Sequence, residues 1–111
     1  MLKDSAELAA EVLAALGHPN RIRILEFLRA GGRCNCEMAP ALGLEQSNLS
    51  RHLKILVQAG ILASWKDGLR VNFKVAYTRV YRILELARNV AKHEIDKKAE
   101  AFVDVGAKSK T

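Results

Sequence analysis

The chain has 111 residues, 50% hydrophobic and 27% charged, enough for one domain around a single modest core. Eighteen Lys and Arg against twelve Asp and Glu give a net charge of +6 and a pI near 9.6, which favours an anionic partner, nucleic acid first among them. No apolar run approaches the ~18 residues of a membrane span, and residues 1–7 lack the apolar stretch of a secretory signal.

Two cysteines one residue apart do not make a secreted disulfide framework, so a cytoplasmic protein with no membrane partner is expected. In chain order, residues 4–16 carry Leu8, Val12, Leu13 and Leu16 on one helical stripe, which Gly17 ends. Pro19 restarts the chain at a first helical position, where its missing N–H costs nothing. Ile22, Leu25 and Leu28, widened by Ile24 and Phe27, make the next helix a core element that Gly31-Gly32 closes.

A short helix over 36–42 ends at Gly43. The helix after it has Leu49, Leu53, Leu56 and Val57 on one side and Ser47, Ser50, Arg51, Lys54 and Gln58 on the other. Two helices joined by a tight Gly-containing turn, the second with a basic polar face, predict a helix-turn-helix over 36–59. The period then changes. Residues 61–66 and 69–75 read as strands joined by Asp67-Gly68, with Val71, Phe73 and Val75 on the packed face, a hairpin wing over 61–76. From 78 to 105 there is no Gly or Pro, and Val80, Leu84, Ala87, Ala91 and Ile95 line one long helix before a frayed tail at 106–111. The fold class expected is mostly α with a β-hairpin: one winged helix-turn-helix domain over 1–111, in the order ααααββα.

A recognition helix enters the major groove with its N-terminal half, which puts Gln46, Ser47, Asn48, Ser50 and Arg51 within reach of base edges. Arg51 suits guanine, and Asn48 or Gln46 adenine. His52 lies beside this face. Lys54, with Lys66 and Arg70 on the wing, is expected at phosphates, where contacts fix position without reading sequence. Two such helices need half-sites about one helical turn apart, so the double-stranded operator requires a homodimer. No paired carboxylates, Ser–His constellation or phosphate-binding glycine loop points to an enzyme.

Residues 15–25 (ALGHPNRIRIL), 34–37 (CNCE) and 47–62 (SNLSRHLKILVQAGIL) resemble the ArsR/SmtB family of metal-responsive repressors. The resemblance implies a homodimer joined by its first and last helices, here 1–17 and 78–105, and a palindromic operator released by an inducer. Cys34-x-Cys36 at the third helix resembles the subset that senses trivalent arsenic and antimony, with no obligatory cofactor. Three features depart from the family. Glu45 stands where the recognition helix often has a Ser or Thr cap, Ala39 where arsenic sensors often have a third cysteine, and no N-terminal cysteine matches the cadmium and lead sensors. His93, Glu94 and Asp96 on the last helix do not follow the zinc-sensor pattern.

Soft thiolates bind soft ions, among them Zn²⁺, Cd²⁺, Pb²⁺, Cu⁺ and trivalent arsenic. Arg33 and a helix N-terminus beside Cys34 both favour its thiolate. Residues two apart in a helix point about 200° from each other, so Cys34 and Cys36 chelate one atom only where the helix start is uncoiled. Pro40 weakens that start, because it cannot donate to the carbonyl of Cys36. A metalloid-released repressor is the leading expectation. A disulfide or polysulfide redox sensor, a Cd-, Pb- or Zn-responsive repressor and an effector-independent DNA-binding module remain beside it.

Overall fold

A computed structural model describes the backbone over residues 2–109 and the side chains over residues 2–101. It contains α1 (Ser5–Leu16), α2 (Pro19–Phe27) followed by a 3-10 turn (Leu28–Ala30), β1 (Arg33–Cys34), α3 (Asn35–Leu42), α4 (Gln46–Gln58), β2 (Leu62–Asp67), β3 (Arg70–Val75) and α5 (Val80–Ser109). The helix starts follow from local chemistry. Asp4 Oδ1 accepts the Glu7 N–H at 2.8 Å, and His18 Nδ1 accepts the Asn20 N–H at 3.0 Å with Pro19 at the first helical position. Gly43 ends α3 with φ 66°, a left-handed conformation that costs glycine nothing and makes the tight turn into α4 possible.

The chain divides into two units, Met1–Thr78 and Arg79–Thr111. In the first, Ile24 and Leu25 of α2, Met38 of α3 and Leu49, Leu53 and Leu56 of α4 are buried, with Leu62 and Phe73 from the sheet. Each such side chain contributes about 1.5–3 kcal/mol on leaving water, so the apolar side of α4 anchors the helix whose other side stays outward. In the second unit, Val80, Tyr81 and Leu84 of α5 are buried, whereas Leu86, Val90 and Ile95 are exposed.

The sheet departs from the expected two-stranded hairpin. Its order is β1-β3-β2, all antiparallel, with Arg33 opposite Phe73 and Cys34 opposite Asn72. The hairpin turn is also displaced by one residue. Asp67 pairs with Arg70, which leaves Gly68 and Leu69 as the loop. Gly68 has φ 63° and, among the described residues, no non-Gly residue has positive φ, as a type II′ turn requires. At the chain end, 106–109 continue α5 instead of forming a tail, and 110–111 lie outside the described residues.

Candidate functional site

Gln46, Ser47, Ser50, Arg51 and Lys54 are exposed on α4, and Asn48 is half-buried beside them. Lys66 and Arg70 are exposed near the tip of the β2–β3 wing, and Lys74 Nζ sits 5.7 Å over the ring of Trp65. α4 begins without a side-chain cap, since Glu45 makes no hydrogen bond to the free N–H groups of the first turn.

His52 is the exception on this helix. It is 6% exposed and packs inward, its ring 4.5 Å from that of His18. Arg21 lies 3.2 Å from His52 Nδ1 and donates to the carbonyls of Ala15 at 2.6 Å and Ala14 at 3.3 Å. One guanidinium thus ties the end of α1 to α4. Burial, then the positive neighbours His18, Arg21 and Arg51, push the His52 pKa below its ordinary 6.5. His52, expected beside the DNA-reading face, is packed inward against His18 and Arg21 instead of lying exposed with the other polar residues of α4. Its spacing from Leu49, Leu53 and Leu56 is the signal that marks it, because residue 52 falls on their face of the helix.

The two thiol positions differ sharply. Cys34 is 2% exposed and stands outside the helix, extended at φ −72° and ψ 146°, where it caps α3. Its Sγ accepts the Cys36 N–H at 3.1 Å, the side-chain cap of the helix start. Cys36 is exposed on the first turn. The Cα atoms are 5.2 Å apart and the sulfurs are joined as a disulfide. The two sulfurs thus meet with α3 intact from Asn35 onward, so no helical turn has to melt. The Arg33 guanidinium turns to Glu37, 3.7 Å away, and to the carbonyl of Gly32 rather than to sulfur.

Among the described residues, no group of three or more His, Cys, Asp or Glu could hold a metal ion. His93, Glu94 and Asp96 are exposed along α5. The pair by itself therefore supplies two sulfur donors, one buried and one open to solvent. A trivalent metalloid fits that set if its remaining position is filled from outside the described residues. Among the described residues, no helix is long and apolar enough to cross a membrane.

Residues 18–64, from the α2 cap through the helix-turn-helix to the first wing strand, match the model of the bacterial regulatory protein arsR family. An uncharacterized HTH-type transcriptional regulator of Mycobacterium tuberculosis, Rv0081, is 35% identical over 102 residues, covering 91% of this chain and 90% of that protein. The chain belongs to the arsR family. It is a DNA-binding transcriptional regulator and not an enzyme.

The crystal structure of Rv0081 superposes on this regulator with a TM-score of 0.75 at 34% identity, covering 88% of this chain and 99% of that one. The solution structure of the homodimeric winged helix-turn-helix domain of Mb0332 from Mycobacterium bovis gives 0.69 at 28% identity, covering 83% and 91%. A probable mercury resistance operon repressor of Streptomyces lividans is 33% identical over 82 residues, covering 74% of this chain and 66% of that protein. The regulator thus has the winged helix-turn-helix fold.

Proposed function

We propose that the regulator is a homodimeric repressor that leaves a palindromic operator when trivalent arsenic or antimony binds Cys34 and Cys36. The observation that carries this reading is the meeting of the two sulfurs at the start of the helix-turn-helix, with α3 folded and one sulfur open to solvent. Arsenious acid condenses with the two thiols: two As–S bonds form, two As–O bonds break, and each thiol proton leaves with a hydroxide as water. The third arsenic position keeps its hydroxide or takes a small thiol. Cys36 is placed for the first condensation and Cys34 for the second.

Repressor relatives, one of them a probable mercury resistance repressor, support a soft-ion inducer. The homodimeric neighbour and the exposed apolar residues Leu8 and Leu13 on α1 and Leu86, Val90 and Ile95 on α5 support a dimer through those helices. Gln46, Ser47, Asn48, Ser50 and Arg51 are the candidate base readers, with Lys54, Lys66 and Arg70 at phosphates.

The disulfide favours a second reading, a repressor switched by oxidation. There the two thiols lose two protons and two electrons to an oxidant such as a peroxide or polysulfide. Fluorescence anisotropy on a palindromic operator separates the two readings. Release by arsenite or antimonite under reducing conditions supports the first, and release only by oxidant supports the second. Affinity indifferent to both sinks the effector role of the pair.

A further inference from the structure

α1, α2 and α4 are tied together by one side chain. The Arg21 guanidinium of α2 donates through Nε to the Ala15 carbonyl at 2.6 Å and through Nη2 to the Ala14 carbonyl at 3.3 Å, both near the end of α1. Its Nη1 lies 3.2 Å from Nδ1 of His52, which is buried on α4 beside Arg51. A guanidinium has donors and no acceptor, so this contact exists only while His52 Nδ1 carries no proton. The His18 ring lies 4.5 Å from that of His52, and its Nδ1 is taken up in accepting the Asn20 N–H at the start of α2.

Protonation of His52 would set a donor and a positive charge against Arg21 in a place shielded from water. The groups whose charge acts on His52 are His18 and Arg21 at α2 and Arg51 on α4, and each opposes a further positive charge. α1 meets the node through carbonyls that Arg21 already occupies, and Glu11, one turn earlier, is paired with Lys3. The imidazolium therefore forms with the node open. We propose that the Arg21–His52 contact is an acid switch: protonation of His52 expels Arg21, uncouples α1 from the DNA-reading helix and weakens operator binding. The proposal rests on the repressor reading and adds a second input, acidity, that does not pass through the cysteines. It runs against simple electrostatics, since a histidine that gains charge on a DNA-binding helix ordinarily tightens binding.

The test is fluorescence anisotropy of full-length reduced protein on a palindromic operator at constant ionic strength. The titration runs from about pH 7.5 to below pH 6.5, with circular dichroism showing the protein folded at each pH. The wild type should bind about tenfold more weakly at the acid end, since each proton taken up on release costs up to about tenfold per pH unit. His52→Gln, which carries an acceptor and no titrating ring, should lose that weakening, read as the ratio of its own neutral and acid affinities. His18→Asn, which keeps a capping side chain for α2, should retain it. Arg21→Met should bind at neutral pH about as weakly as the wild type does in acid, and lose little more on acidification.

Wild-type affinity that holds steady or tightens in acid overturns the proposal and leaves the repressor reading standing. So does a weakening that survives in His52→Gln, or an Arg21→Met that responds to acid as the wild type does. Wild-type protein that binds no operator at neutral pH overturns the repressor reading itself.

Discussion

Cys34 stands directly opposite Asn72 in the β1–β3 pairing, and Asn72 in turn stands opposite Trp65 across β3 and β2. The buried thiol is therefore two strands from the only tryptophan. A side chain at Gly32 would meet the Trp65 ring at 2.7 Å, so that ring lies against the backbone just before the thiol strand. An event at sulfur has a path to the wing as well as to the helix-turn-helix.

Trp65 emission should consequently report the state of the pair. Arsenite added to reduced wild-type protein should change its intensity, and Cys34→Ser should remove the response. An arsenic adduct seen by mass spectrometry with emission unchanged would contradict a coupling through β1.

Burial sets the order of reaction at the two sulfurs. Cys34 is 2% exposed and Cys36 is open. In reduced protein, iodoacetamide should alkylate Cys36 at least about tenfold faster than Cys34, because Cys34 reacts only after local opening. Peptide mapping of a time course reads both rates. Equal rates would place Cys34 at the surface.

Glu45 is an uncapped helix start with a negative charge beside the DNA face. Its backbone, φ −66° and ψ 145°, already suits a capping residue. Glu45→Ser should raise stability by about 1 kcal/mol. It should also tighten operator binding at low salt, with the gain shrinking as salt rises. Calorimetry and anisotropy measure the two effects, and a lower melting temperature would contradict the assignment of the cap.

The buried histidine makes stability depend on pH in a defined direction. His52 has a pKa lowered from 6.5, so the unfolded chain binds a proton before the folded one does. Its share of stability is whole above pH 6.5 and is lost as pH falls below that value. Protonation at Nδ1 would also remove the acceptor that faces Arg21. His52→Gln should flatten the urea-unfolding profile below pH 6.5. A profile as steep as the wild type's would assign the dependence elsewhere.

The helices were legible because Leu49, Leu53 and Leu56, like Ile24 and Leu25, repeat at the helical period and are buried. β1 was not, since the two residues Arg33 and Cys34 cannot display an alternation and owe their strand to β3 beside them. The turn was offset because Asp-Gly marks a hairpin without fixing its register. Placing Gly68 first in the loop keeps Asp67 paired with Arg70. At the thiol site the sequence located both cysteines, but the helix start expected to uncoil is a regular turn that begins at Asn35, with Cys34 outside it. That Cys34 stays extended as the cap of α3 depends on its pairing with Asn72, a residue 38 positions away (72 − 34). His52 looked polar by residue type although its spacing places it with Leu49, Leu53 and Leu56, and its interior partners Arg21 and His18 come from elsewhere in the chain.

The central claim is that Cys34 and Cys36 pass metalloid binding to the DNA-reading helix. The most direct measurement is the operator dissociation constant of reduced protein with and without arsenite, for the wild type and for Cys34→Ser. Arsenite should weaken wild-type binding about tenfold or more, a coupling of about 1.4 kcal/mol. Cys34→Ser should bind the operator as the wild type does and stay bound when arsenite is added. Wild-type affinity unmoved by arsenite, or Cys34→Ser released as fully as the wild type, would contradict the account.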